Sequence, residues 1–429
     1  MYAWLSKLQL PHLRSVGVTS LIGLALKILF LSFYYYPDLC AGSFRAAPLL
    51  EALLNNIPKN AYIDIVTTHP NRYSSYQAES LDHEAYQNHS ITRVQLPNHD
   101  SGVFDQARAF LYYANGVRKY IKDKEYDLVL ATSSRLMTAS LGAWCARKLG
   151  APLYLDIRDI FVDTISDVFP KKISTFIAPF FSVIEKNTFS RATKINLVSK
   201  GFAGYFGARY PQKYLSFFTN GIDEIFLHES EASNSHKTTS NASNPVKILY
   251  AGNMGEGQGL HKIIPALATH LGSAYKFILI GDGGRRAALE AELKAHHCTN
   301  VEILPPQNRT KLIESYRQAD VLFLHLNDYP AFEKVLPSKL FEYAAMNKPI
   351  WAGLAGYPAS FVKSEISNAA VFTPCDINSA ASSFASLRLQ TTIRSDFIAQ
   401  YKRSAIMDAM AKEVVELLRS PTPSTVGHA

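Results

Sequence analysis

At 429 residues, 47% of them apolar and 19% charged, the chain has the length of two or three domains and the composition of a soluble globular protein with ample core. Its formal charge of +8 lies entirely in the first half: residues 1–220 carry 24 Lys and Arg against 16 Asp and Glu, and residues 221–429 carry 20 of each, so an anionic phosphate ester, nucleic acid or membrane would suit that half. Cys40, Cys145, Cys298 and Cys375 stand far apart, with no C-x-x-C pair and no His at ligand spacing, which argues for reduced cytosolic thiols, with no zinc site and no sequence sign of a disulfide.

In chain order, "VGVTSLIGLALKILFLSFYYY" is apolar enough for a signal or anchor, but Lys27 interrupts it. "KILFLSFYYYP" reads instead as a buried first strand ending at Pro37. Without that strand the run falls short of the ~20 residues a membrane span needs. The expectation is a cytosolic domain from Lys27 and a leader, 1–26, of unassigned role. An artefact of the chosen start codon and a short membrane-associating helix are both open readings of it.

From Lys27 on, short apolar runs alternate with amphipathic stretches. "KILFLSFY", "YIDIVTTH", "ITRVQL", "YDLVLATS", "PLYLDIRD", "TKINLVS" and "LSFFTNG" read as strands, with helices expected over 44–55, 106–122 and 138–149. This alternation predicts a parallel sheet flanked by helices. Residues 228–245, "HESEASNSHKTTSNASNP", are polar and without period, and read as a linker. A second series follows: "KILYAG", "KFILIGDG", "VEILP", "ADVLFLHL", "KPIWAGL" and "AAVFTP". Two Rossmann-like domains result, 27–227 and 246–393. A helical stretch over 394–418 is expected to pack back across their boundary, with 419–429 as a tail.

In doubly wound sheets ligands bind where strands run out into helix N-termini. Four stretches stand at such places. "PDLCAGSFRAA" offers Gly42 and Ser43 for close backbone approach and Arg45 for a phosphate. "YAGNMGEGQGL" holds Gly252, Gly255, Gly257 and Gly259; "IGDGGRRAALE" holds Gly281, Gly283 and Gly284 before Arg285 and Arg286. Each of these glycines alone is as well explained by a turn; their concentration at one edge is the signal. In the fourth, "LPSKLFEYAAMNKPI", Pro337 suits the first helical position and leaves the N–H groups of Ser338, Lys339 and Leu340 for an anion. Glu342 lies one turn deeper, too far back to cap the helix and placed to accept from vicinal hydroxyls beside a phosphate. A nucleotide diphosphate combines both needs. A solvated helix-face glutamate is the plainer reading, opposed by the apolar Leu340, Phe341, Tyr343, Ala344 and Ala345 around it.

Together and in this order, "FYYYPDLCAGSFRAAPLLEAL", "DIRDIFVD", "TNGID", "YAGNMGEGQGL", "IGDGG" and "PSKLFEYAAMNKPI" resemble family 4 of the retaining glycosyltransferases with the GT-B fold. The similarity extends to the branch that includes bacterial O-antigen N-acetylfucosamine transferases, and runs from Lys27 to Leu418. It implies two Rossmann-like domains with facing parallel sheets and an interdomain cleft. In the family's E-x7-E motif Glu342 matches the second, ribose-binding glutamate, while the first position falls on Lys334, with Glu333 one place off. The Arg and Lys usual in the first glycine loop are replaced by Asn253 and Gln258, so phosphate charge would be met by Lys339, Arg285 and Arg45. Where many relatives carry a His, this chain has Arg158 and Asp159, expected beside the sugar or the acceptor hydroxyl.

The resemblance implies transfer, with retention, of a sugar from a nucleotide diphosphate sugar, expected to be UDP-linked and with an N-acetylated deoxyhexosamine as one candidate. The acceptor would be a glycan or a polyprenyl-diphosphate-linked saccharide of surface polysaccharide such as O-antigen or capsule. No cofactor is expected, and with no D-x-D motif in the chain, no metal. No glycosidase-like nucleophile pair is evident, so front-face displacement assisted by the leaving phosphate is expected. "FPKKISTFIAPFFSVIEK" and "RAFLYYANGVRKYIK" mix lysines and arginines with aromatics, which suits peripheral binding of a cytoplasmic protein to an anionic inner membrane rather than to nucleic acid. A UDP-N-acetylglucosamine 2-epimerase-like isomerase and a catalytically silent nucleotide-sugar module are the alternatives. An NAD oxidoreductase fits less well, since no loop has the G-x-G-x-x-G spacing.

Overall fold

A computed structural model describes residues 26–38, 40–71, 79–97, 103–133, 136–160, 171–227 and 244–419, with side chains described throughout except at 103–104 and 171–176. The leader up to residue 25, the linker over 228–243, the tail from 420 and the last three residues of "DIRDIFVD" lie outside the described residues.

Two sheets form. The first comprises β1 (Lys27–Ser32), β2 (Tyr62–Thr68), β3 (His83–Ala85), β4 (His89–Val94), β5 (Leu128–Ser133), β6 (Leu153–Ile157), β7 (Lys194–Leu197) and β8 (Tyr214–Ser216), in the order β3-β4-β2-β1-β5-β6-β7-β8. All pairings are parallel except β3 with β4. The central strands carry unbroken apolar runs because helices cover both of their faces. The polar edge strand β3, "HEA", has no apolar alternation and was not foreseen from the sequence.

The second sheet comprises β9 (Val246–Asn253), β10 (Tyr275–Asp282), β11 (Val301–Leu304), β12 (Val321–His325), β13 (Ile350–Gly353) and β14 (Ala369–Phe372), in the order β11-β10-β9-β12-β13-β14, all parallel. In each sheet the order reverses beside the first strand, at β1/β5 and at β9/β12, the switch points at which ligands bind in doubly wound sheets. The loops carrying Gly42 and Gly255 leave the strands at these two points.

On one face of the first sheet the helices Val103–Tyr120, Leu136–Leu149 and Lys171–Arg191 bury Tyr113, Val117, Ala139, Ala146 and Phe189. On the other, Ser43–Asn56 and Arg403–Arg419 bury Leu49, Leu53, Met407, Met410 and Val414. The last helical stretch is two helices: Ser395–Gln400, whose Phe397 and Ile398 join the second domain's core, and Arg403–Arg419 on the first. Between them the chain meets its own outward crossing. The Ile222 N–H donates to the Tyr401 carbonyl at 2.7 Å, and Arg403 N–H to that of Ile222 at 2.8 Å.

The buried Arg403 guanidinium locks this crossing by donating to the carbonyls of Asn220 (2.9 Å), Gly221 (3.1 Å) and Phe44 (3.0 Å) and to Asp223 (2.9 Å). Elsewhere the domains meet where Ser199 Oγ donates to the Lys334 carbonyl at 2.6 Å, over Gly201, where any side chain would overlap that carbonyl. All four cysteines are free thiols.

Candidate functional site

On the second domain, two glycine loops are stitched into one surface. Met254 N–H donates to the Asp282 carbonyl at 2.8 Å and Arg285 N–H to that of Met254 at 2.9 Å. Gly252, Gly281 and Gly283 have φ of 155°, 146° and 159°, a region where a Cβ is unfavourable. Space forbids one as well: at Gly281 it would overlap the Gly252 carbonyl oxygen, and at Gly283 it would stand 2.7 Å from the Met254 backbone. Asn253 and Gln258, standing where relatives carry Arg and Lys, bind each other (Nδ2 to Oε1, 2.8 Å), and Gln258 Oε1 also accepts from Gly255 N–H at 3.2 Å. They shape the loop. Arg285 is ion-paired with Glu256, which also accepts from the Tyr329 hydroxyl at 2.7 Å. Arg286 is half-buried, pairing with Glu290 at 2.9 Å and reaching back to the Gly281 carbonyl at 3.4 Å.

Glu342 sits in the Lys339–Ala345 helix, which is buried almost all round and so leaves no room for a solvated carboxylate. It is only 7% exposed. Its Oε2 accepts from Lys339 Nζ at 3.0 Å and from the Tyr316 hydroxyl at 3.4 Å, and Lys339 also reaches that hydroxyl at 3.3 Å. Oε1 accepts nothing among the described residues. The helix start differs from expectation. Ser338 is its cap, and Leu340 N–H turns back to the Pro337 carbonyl at 3.2 Å, so only the N–H groups of Ser338 and Lys339 have no partner among the described residues. A tight first turn has consumed the third donor. The Gly252 loop and this helix are neighbours, since a Cβ on Gly252 would lie 3.5 Å from Lys339 Cε.

On the first domain, Gly42 caps the Ser43–Asn56 helix with Ser43 buried beneath it, and a Cβ on Gly42 would come within 3.1 Å of Arg158 Nη1. Arg158 is brought to this point by the end of β6. Its buried Nε has no hydrogen-bond partner among the described residues. Burial first, and then the charge of Arg45, draw its pKa below the ordinary arginine value. Asp159, next in the chain, is exposed to solvent. Desolvation by the protein beside it pushes its carboxyl up to about 6, against the opposing pull of Arg158.

Arg45 is a correction. Read as available to a phosphate, it is 1% exposed and turned inward, clamping Asp156 through Nε (2.7 Å) and Nη2 (2.8 Å). It also donates to the Thr219 and Phe218 carbonyls at 2.8 and 2.9 Å. Burial alone would raise the Asp156 carboxyl; Arg45, with Asn196 and Thr132, more than offsets this and holds it below the usual range. A buried carboxylate needs such a partner, which removes Arg45 from the cleft. Lys334 also has structural contacts: its carbonyl receives Ser199 and its ammonium stands 5.8 Å over the Tyr205 ring of the first domain.

Sequence reasoning missed Tyr316, Glu256, Tyr329 and His325. Only His325 left a trace, as the one polar residue in the apolar run "VLFLHL".

Two parallel-sheet α/β domains with these loops at their switch points define the class: the chain has the GT-B fold shared by glycosyltransferases. Comparison with known proteins makes this particular. The family model "Glycosyl transferases group 1" matches residues 232–404. A protein of Escherichia coli (strain K12) named as the colanic acid biosynthesis glycosyl transferase WcaI is 33% identical over 99 residues, 23% of this chain and 24% of that protein. The match thus spans about a quarter of that relative. Sucrose-phosphate synthase from Thermosynechococcus elongatus superposes with a TM-score of 0.72 at 14% identity, over 92% of this chain and 100% of that one. Anabaena Alr3699/HepE in complex with UDP and glucose gives 0.61 at 16% identity, over 91% and 99%.

Proposed function

We propose that the chain is a retaining, metal-independent glycosyltransferase that takes a sugar from a nucleotide diphosphate sugar. The observation that carries this is Glu342: a buried carboxylate with one oxygen held by Lys339 and Tyr316 and the other open, beside a glycine loop at a sheet's switch point. Oxygen Oε1 would receive the ribose hydroxyls. Lys339, with the N–H groups of Ser338 and Lys339, would meet the diphosphate as charge develops on it. The Anabaena structure with UDP and glucose supports a UDP donor, and the colanic acid relative supports a role in surface polysaccharide synthesis. Arg158 and Asp159 would flank the transferring sugar from the other wall.

A lipid-linked acceptor at an anionic inner membrane suits the basic half. Among the described residues no helix is long and apolar enough to cross a membrane. Outward-facing Leu111 (66% exposed) and Phe180 (64%), with Trp144 flanked by Arg118 and Lys148 at 5.6 and 5.5 Å, support a peripheral face on the first domain's helices. Asp159, a carboxyl pushed up to about 6 at the end of β6, also suits a 2-epimerase-like isomerase, the second reading.

The test is release of nucleoside diphosphate from UDP- and GDP-sugars, in EDTA, with and without a polyprenyl-diphosphate-linked saccharide. Acceptor-dependent release that Glu342→Ala lowers by about a hundredfold is expected. Sugar interconversion without acceptor would establish the isomerase instead, and nucleotide binding without turnover a silent module.

A further inference from the structure

His325 ends β12, fully buried, its ring grouped with those of Phe323 and Phe372 at centroid distances of 6.2 and 5.9 Å. Both its nitrogens are engaged. Nδ1 lies 2.7 Å from the Gln258 carbonyl oxygen, and Nε2 lies 3.0 Å from the Cys375 backbone nitrogen. A carbonyl only accepts and a backbone N–H only donates, so the proton must be on Nδ1 and the lone pair on Nε2. The partners therefore dictate one neutral tautomer. Burial points the same way, drawing the imidazole down to about 4.

Two residues on, Asn327 continues the pattern. Its N–H donates to the Gly257 carbonyl and its Nδ2 to that of Glu256, both at 2.8 Å. Three successive carbonyls of the glycine loop, those of Glu256, Gly257 and Gln258, are thus each held by the exit of β12. Glycine forfeits the most conformational freedom on ordering, so this segment needs such holds, which act beside the Asn253–Gln258 bond and the Arg285–Glu256 pair.

We propose that His325 is a positioning residue for the donor: as the Nδ1–H tautomer it holds the Gly255–Gly259 loop in its donor-binding form and so sets donor affinity without taking part in bond-making. This rests on the nucleotide-sugar reading of the site.

Asparagine and glutamine divide the two roles. In His325→Asn the amide nitrogen falls near the Nδ1 position and can still donate to Gln258; in His325→Gln the amide falls near Nε2 and leaves that carbonyl bare. The experiment measures UDP and GDP affinity by calorimetry, then donor KM and kcat, for wild type, His325→Asn, His325→Gln and His325→Phe. With Asn, affinity within about threefold of wild type is expected; with Gln and Phe, Kd and KM should rise about tenfold or more, with kcat within about threefold. Equal losses with Asn and Phe, or a fall in kcat at constant KM, would overturn the proposal. If the variants do not fold, imidazole 15N NMR of wild type decides: the Nδ1–H tautomer, retained on adding UDP, supports it, and the Nε2–H tautomer refutes it. Failure of wild type to bind either UDP or GDP would be seen first, and would overturn the nucleotide reading and this proposal with it.

Discussion

Asp159 and Arg45 show how little a charged letter reveals about its own chemistry. Asp159 holds its proton more tightly in the fold, up to about 6, than the ordinary carboxyl near ~4. Its stabilising contribution is therefore full below pH ~4 and is lost as pH rises through about 6. Asp159→Asn should leave stability unchanged at pH 4 and raise it at pH 7.5, by at most about 1 kcal/mol because solvent still reaches the group. Denaturant unfolding at the two pH values checks this; an equal gain at both would mean that titration is not the source. Arg45 was legible as a cation after the first strand, and its residue type fitted a phosphate. Its true partner, Asp156, lies 111 positions on, and only the pairing of β1 with β5 and β5 with β6 brings the two together. Glu342 was legible because a lone carboxylate stood in an otherwise apolar helix. Tyr316, which braces it, stands in an unremarkable polar stretch and gave no signal.

Elements were read more securely than residues. Thirteen of the fourteen strands among the described residues overlap runs evident in the sequence, because parallel strands covered on both faces are largely apolar. The exception, β3, is a polar edge whose pairing with β4 is supported by Arg93, which donates to the Leu81 carbonyl at 3.0 Å and pairs with Glu84. The glycine loops were visible as clusters, but not which glycines are obligatory. Gly281 has φ 146° and its Cβ would overlap the Gly252 carbonyl, whereas nothing lies within 4 Å of a Cβ on Gly284. Gly281→Ala should cost about 3 kcal/mol or more and disrupt nucleotide binding. Gly284→Ala should stay within about 0.5 kcal/mol of wild type. Thermal unfolding of the two variants side by side is the measurement; similar losses in both would refute the assignment.

At the scale of the whole molecule, the two domains are joined where the chain crosses outward at 218–223 and returns at 401–403. Arg403 anchors that crossing through three carbonyls and Asp223, which Arg309 also contacts while lying 4.3 Å over the Phe44 ring. Arg403→Leu would leave several buried acceptors bare and should destabilise by about 3 kcal/mol. Limited proteolysis should then open the crossing segment first, and calorimetry should show a lower unfolding midpoint; an unchanged midpoint would show that the crossing holds without it. The sequence by itself determined that there are two parallel-sheet domains, where their strands lie, and that glycine loops and one glutamate gather at strand ends. Those features are local, carried by apolar period, turn residues and single letters within a dozen positions. Only the tertiary structure decided which charges face the cleft and which are spent inside, and which side chains hold the loops in place. That division has a physical cause: a buried charge or hydrogen bond is settled by its partner, and here the partners lie tens to hundreds of residues apart.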